Sequence, residues 1–198
     1  MKKLLSLSLC FSTLLFNMLA SAAQPGAYAG LGLGYGKQHT PSLLDESFIK
    51  KDNGGLSGRM FAGYNFNEYV GLEGGLTHYA DATYKLNISN LLSVKQTDKL
   101  NTLDLVGKVY LPIPETGFNL YALGGAALAH VQSRVEATGY PDDKSTSNII
   151  RPIFGAGASY DIPNTALSTN LEFTRIQGNH EEIQNTDLAT INLVYHFN

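Results

Sequence analysis

The sequence predicts an all-β chain that closes as an eight-stranded antiparallel up-and-down transmembrane β-barrel. Three observations lead there: strand-like runs with a two-residue alternation, connections that are alternately short and long, and no segment with a sustained helical period. The runs lie at about 27–37, 55–66, 69–82, 98–112, 118–135, 149–162, 166–177 and 186–197. "NFNEY", "PIPETG" and "IPNTA" are tight turns, whereas 38–54, 83–97, 136–148 and 178–185 are long and polar.

The first residues are expected to be removed. Met1-Lys2-Lys3 is a basic start, Leu4 to Leu19 is almost wholly apolar, and Ala20-Ser21-Ala22 offers a small-residue cleavage pattern. Residues 1–22 therefore read as a signal peptide and 23–198 as the barrel. Cys10 lies inside the signal, preceded by Leu9 where a lipoprotein signal carries a small residue, so lipidation is not expected and the mature chain has no cysteine. Without Lys2 and Lys3, 12 of the 14 basic residues remain against 17 acidic ones, a formal charge of −5. Such a balance argues against a nucleic-acid partner.

Each run divides into two faces. In the first, Ala27, Ala29, Leu31, Leu33 and Tyr35 alternate with Tyr28 and a series of glycines. The second sets Leu56, Met60, Ala62, Tyr64 and Phe66 against Ser57, Arg59, Phe61 and Asn65. The third, "VGLEGGLTH", sets Val70, Leu72 and Leu76 against Gly71, Glu73, Gly75 and Thr77. Its glycines would each cost roughly 1 kcal/mol in a helix relative to alanine, so it is a strand. The fourth opposes Leu103, Leu105, Val109 and Leu111 to Thr102, Asp104, Val106, Lys108 and Tyr110. The fifth, "YALGGAALAHV", is small or apolar on both faces and leaves its register open. In the seventh, Leu167, Leu171 and Phe173 face away from Ser168, Asn170, Glu172 and Thr174; in the eighth, Ile191, Leu193, Tyr195 and Phe197 face away from Thr190, Asn192 and His196.

A soluble sandwich would fill the second face with large side chains, but here glycine and alanine crowd it. A barrel in lipid accounts for both faces. The apolar face meets hydrocarbon, and the narrow interior of about eight strands leaves room for small and hydrogen-bonded polar side chains. Tyr64, Phe66, Tyr69, Tyr160, Tyr195 and Phe197 gather near the short turns, where an interfacial girdle belongs.

"AYAGLGLGYG", "GYNFNEYVGLEGG", "GKVYLPIPETGFNLYALGGAA", "FGAGASYDIPN", "LSTNLEFTRI" and "INLVYHF", in this order, carry a resemblance. Together they make the chain similar to the N-terminal transmembrane domain of outer membrane protein A and the wider group of small eight-stranded outer-membrane barrels. The resemblance implies a bacterial outer-membrane location, lipid and lipopolysaccharide surroundings, delivery to the barrel assembly machinery and no cofactor. It also implies a C-terminal assembly signal, here Tyr195 and Phe197, with the aromatic residue penultimate instead of last. The peptidoglycan-binding domain of full-length members is not expected in a chain that stops at Asn198, nor is a wall-anchoring role.

A buried Glu73 needs a basic partner. Counting about a turn centred on Asn67 puts Arg59 opposite Gly75 and diagonal to Glu73, with Lys108 at a comparable height. The resemblance implies an interior network of acids and bases that blocks or gates the lumen, two of whose positions fall on Glu73 and Lys108. Ser159 and Asn170 occupy the other two, so Arg59 and Glu172 are expected to complete a different network.

No catalytic residues and no metal ligands are expected. His78, His130 and His180 stand toward the long-loop side with Asp81, Glu181 and Glu182 in reach, but five histidines bring such neighbours together by chance. "NHEE" (179–182) reads as a solvated hairpin tip. "GLGLGYG" is not followed by a helix and lacks the lysine of a phosphate loop. Three functional classes follow: a non-enzymatic structural barrel with loops for adhesion or host and phage contact, a small gated pore, and a lipid-modifying enzyme. The first is expected, with the loops at 38–54, 83–97, 136–148 and 178–185 carrying recognition.

Overall fold

The computed structural model describes residues 24–39, 49–89, 92–137, 143–179 and 184–197. The signal-peptide expectation for 1–22 lies outside them. The strands are β1 (Gly26–Gln38), β2 (Ile49–Asp52), β3 (Gly54–Asn65), β4 (Val70–His78), β5 (Ala82–Ser89), β6 (Leu92–Pro112), β7 (Phe118–Ala137), β8 (Asp143–Asp161), β9 (Leu167–Ile176) and β10 (Thr186–Phe197). They hydrogen-bond in the order β2-β5-β6-β4-β3-β1-β10-β9-β8-β7, and β6 also pairs with β7. β2 and β5 continue β3 and β4 past breaks at Asn53 and at 79–81, so the sheet is a closed antiparallel barrel of eight staves. First and last staves run together from Ala27↔Phe197 to Gln38↔Thr186.

The three tight turns are built by local hydrogen bonds. Phe66 N donates to Val70 O, while the Asn67 side-chain oxygen accepts from the backbone of Tyr69 and Val70. The turn is thereby centred one residue later than the sequence count assumed, and the register moves by two: Phe61 stands opposite Gly75, Gly63 opposite Glu73, and Arg59 opposite Thr77. In the β6–β7 turn Ile113 N donates to Phe118 O, with Glu115 and Gly117 at positive φ of 62° and 73°. Asn164, at φ 60°, serves the β8–β9 turn. Gly117 and Asn164 reach such left-handed conformations cheaply and, with Glu115, hold these connections short.

At the other end, three expected loops are partly strand, the first through residues 49–52, which form β2 and pair with β5. Residues 82–89 and 92–98 pair as a hairpin that extends β4 and β6, and 143–148 belong to β8. Polarity in "TYKLNIS" and "SVKQTD" reports contact with water, and an antiparallel ladder continues into water as readily as it stops.

The outward face carries a continuous apolar band, with Leu31, Leu33, Leu56, Met60, Leu76, Leu105, Ile191 and Leu193 exposed around the barrel. Tyr64 stacks beside Phe66, Phe118 beside Tyr160 and Tyr195 beside Phe197, at centroid distances of 5.6, 4.6 and 5.0 Å, in a girdle at the turn end. The undecided fifth run, now β7, turns Leu120, Ala122, Gly124, Ala126 and Leu128 outward and buries Asn119, Tyr121, Leu123, Ala127 and Ala129. The interior is not uniformly small and polar as the sequence suggested. Toward the loop end Tyr79, Leu100, Ile153, Ile176 and Leu188 form an apolar core with Ala127 and Ala129. Apolar side chains can fill a closed lumen densely without needing partners, which buried polar groups cannot do.

Leu105 stands near the middle of the apolar band and Leu72 nearer the turns. Leu105→Arg should cost about 2–4 kcal/mol and Leu72→Arg less, because the penalty for a cation on the lipid face falls from midplane to interface. Urea titrations of folding into lipid vesicles measure the difference.

Candidate functional site

The middle of the lumen holds a compact ionic cluster. Arg59 of β3 reaches across β4 to β6, where its two terminal nitrogens meet the Asp104 carboxylate at 2.9 and 2.8 Å; Nη2 also donates to Glu73 Oε1 at 3.1 Å. Lys108 of β6 lies between two carboxylates, with Nζ 2.6 Å from Glu73 Oε2 and 3.2 Å from Glu172 Oε2. The Tyr28 hydroxyl donates to Glu73 Oε2 at 3.0 Å and the Tyr121 hydroxyl to Glu172 Oε2 at 2.9 Å. Lys108 Nζ further sits 4.8 Å from the Tyr121 ring centroid. Glu73 and Lys108 are each 1% exposed.

Glu73, Arg59, Lys108 and Glu172 thus lie in one cluster, although the β3–β4 register differs from the sequence count. An arginine side chain is long enough to cover the two-residue difference. Asp104 went unassigned in the sequence reading. Its signal was there, because it shares the inward parity of Lys108, but parity alone does not show which cation a carboxylate reaches. Three carboxylates face two cations, and the two tyrosine hydroxyls supply the additional donors. Glycines on neighbouring staves make the space: a Cβ at Gly75 would come within 2.6 Å of Arg59 Nη2, and one at Gly63 or Gly157 would strike the ring of Tyr28 or Tyr121.

Below this cluster, at the turn end, lies a cavity of about 20 Å³ lined by Asn65, Ser159, Asp161, Ser168, Asn170 and His196 among others. That is room for about one water molecule. Asn65 Oδ1, Asn170 Oδ1 and His196 Nδ1 have no protein hydrogen-bond partner there. Ser159 and Asn170 face each other across β8 and β9, away from the ionic cluster. Above the cluster stands the apolar core. The lumen is therefore polar at the turn end, ionic in the middle and apolar toward the loops.

No group of three or more His, Cys, Asp and Glu placed for a metal ion occurs among the described residues. Of the rim histidines, His78 pairs with Asn101 and His130 with Asn148, each at 2.7 Å, and neither meets a serine. His180, Glu181 and Glu182 lie outside the described residues. Ser168 Oγ does lie 3.0 Å from His196 Nε2, but the pair is buried in the lumen and no acid orients the other ring nitrogen, which nucleophilic catalysis requires. Tyr195 and Phe197 lie outward at the turn end.

A family model described as outer membrane protein beta-barrel domain matches residues 6–197. The chain belongs to this family. It is a protein of the bacterial outer membrane, similar to outer membrane protein A. A protein of Coxiella burnetii is 29% identical, over 74% of this chain and 70% of its own. Outer membrane protein A of Salmonella typhi is 25% identical over 74% of this chain, and the match spans 39% of that protein's length. Among solved structures, the N-terminal β-barrel domain of Pseudomonas aeruginosa OprF superposes with a TM-score of 0.56 at 12% identity, covering 87% of this chain and 98% of the other. Ail, the attachment invasion locus protein of Yersinia pestis, in complex with the heparin analogue sucrose octasulfate, gives 0.51 at 15% identity, covering 87% and 99%.

Removing Glu73 leaves Lys108 with Glu172 alone and takes one acceptor from Arg59 and from Tyr28. Breaking a buried pair in this way typically costs about 3–5 kcal/mol. Glu73→Ala should accordingly lower the unfolding midpoint in detergent, and Glu73→Gln, which keeps a hydrogen-bonding oxygen, should lower it less. Thermal unfolding followed by heat-dependent gel mobility reads both.

Proposed function

We propose that the protein is a non-enzymatic structural barrel of the outer membrane with a closed lumen, and that its loops at 38–54, 83–97, 136–148 and 178–185 provide surface contacts for adhesion or for host and phage ligands. The observation that carries this reading is the filled lumen. Freeing Lys108 from either carboxylate would still leave Tyr79, Leu100, Ile153, Ile176 and Leu188 packed across the path, each no more than 2% exposed. A gated pore needs a water-filled route on both sides of its gate, and here packed apolar side chains occupy the loop side. The heparin analogue bound to Ail supports a ligand-binding role for barrels of this fold. Lipopolysaccharide and the barrel assembly machinery are the partners proposed for the lipid face and for Tyr195 and Phe197.

Two measurements test this. In planar bilayers, refolded wild type and Glu73→Ala should both lack discrete channel openings; openings in the mutant alone would make the cluster a gate and the pore reading correct. Short turns lie in the periplasm in barrels of this kind, so in intact cells a membrane-impermeant maleimide should label Lys144→Cys but not Glu115→Cys. Labelling at Glu115→Cys inverts the orientation.

A further inference from the structure

The lipid face is not the same all the way round. Above the apolar row of Leu76, Leu103, Leu128 and Ile150 comes a polar row whose members are cross-strand neighbours on β4, β6, β7 and β8: His78↔Asn101, Asn101↔His130 and His130↔Asn148. Its side chains are linked. His130 Nδ1 lies 2.7 Å from Asn148 Oδ1 and its Nε2 2.9 Å from Gln132 Nε2. One step higher Lys99 stands opposite Gln132, and a step above that Arg134 stands opposite Lys144. Lys99, Arg134 and Lys144 are exposed. Asp81 lies 3.7 Å from Lys99 and Glu136 3.2 Å from Arg134 Nε, while Lys144 has no ion-pair partner among the described residues. Three cations thus stand against two carboxylates on a face that points outward, toward neighbouring lipid.

Below that apolar row, β7 turns Ala122, Gly124 and Ala126 toward the lipid, beside Gly107 of β6. A Cβ at Gly124 would meet nothing within 4 Å, and one at Gly107 would meet only the Gly124 carbonyl at 3.9 Å. Larger side chains, Leu105 and Val109 on β6 and Phe154 on β8, stand at its sides and make this column a shallow trough. Barrel packing does not require small residues here, since space outside the barrel is unrestricted.

We propose that the outer part of β6–β8 is a docking site for a phosphorylated glycolipid of the lipid A class. Its phosphates meet Lys99, Arg134 and Lys144, its sugar groups meet Asn101, Gln132 and Asn148, and one acyl chain lies in the trough over Ala122, Gly124 and Ala126. Neighbouring staves are about 5 Å apart, so cations on three of them span about 10 Å, a separation suited to a disaccharide phosphorylated at both ends and wider than one phospholipid head needs. Arginine meets phosphate through two donors at once, and lysine stems can bend back toward the boundary while the ammonium stays in the head-group layer. The site rests on the outer-membrane location and the outward orientation of the loop end, and is independent of whether the lumen conducts.

The test is native mass spectrometry of the refolded barrel in detergent with diphosphorylated lipid A, dephosphorylated lipid A or phosphatidylglycerol. Wild type should retain one diphosphorylated lipid A and hold the other two lipids weakly. A Lys99→Ala, Arg134→Ala, Lys144→Ala triple variant should bind on the order of a hundredfold more weakly, at roughly fivefold per cation. Lys37→Ala, on the far side of the barrel, should bind as wild type does. Gly124→Phe, which fills the trough and keeps every cation, should also lose retention. All these residues are exposed, and heat-dependent gel mobility verifies that each variant is folded. Equal retention by the triple variant, equal binding of phosphatidylglycerol, or no lipid A on the wild type would each overturn the site, and unchanged retention by Gly124→Phe would remove the trough from it.

Discussion

Hydrocarbon offers no hydrogen bonds, and every backbone N–H and C=O that enters it must find a partner in the chain itself. The pairing of β1 with β10, unbroken from Ala27↔Phe197 to Gln38↔Thr186, meets that demand by leaving the membrane-spanning sheet without an edge. Once eight staves are closed, the interior is too narrow for a wide channel and must be packed as a core. The chain thus departs from a soluble protein on its outer surface, where most of its leucines face lipid, while the lumen holds apolar side chains and those polar ones that can be satisfied there.

Satisfaction is arranged by layers. At the turn end Asn65, Asn170 and His196 border a cavity that can hold about one water, so their unpartnered atoms need not remain unsatisfied. In the middle, charges are admitted only as a mutually bonded set: Arg59 on Asp104 and Glu73, Lys108 on Glu73 and Glu172, with Tyr28 and Tyr121 donating to the surplus carboxylate charge. A buried set of this kind adds little net stability over an apolar core of the same volume, yet losing one member is costly because the others stay buried. Toward the loops Leu100, Ile153, Ile176 and Leu188 need no partners. The ionic layer is therefore a constraint on which lumen can form, and the apolar layer is what closes it.

The outer wall is governed by a different solvent. Around most of the barrel the apolar band needs only to be continuous, and leucine, isoleucine and valine serve equally. On β6–β8 the band is hollowed by Ala122, Gly124 and Ala126 and crowned by Lys99, Arg134 and Lys144, a pairing of shape and charge that a featureless lipid boundary does not call for.

Sequence alone determined the strand content, the inside and outside of most staves and the membrane as their solvent, because a period of two on a closed sheet maps each residue to one face with no knowledge of its neighbours. It also placed Glu73, Arg59, Lys108 and Glu172 on the inner surface. Three things it could not reach. The β3–β4 register depended on how Asn67 bonds within its turn, a displacement of two residues that leaves every face unchanged and so is invisible to alternation. The faces of β7 depended on its partners, since "YALGGAALAHV" is small or apolar on both sides and only pairing with β6 and β8 distinguishes them. The meeting of Asp104 with Arg59, and the apolar core gathered from Tyr79, Leu100, Ile153, Ile176 and Leu188, join residues from different staves whose relative heights exist only once the barrel has closed.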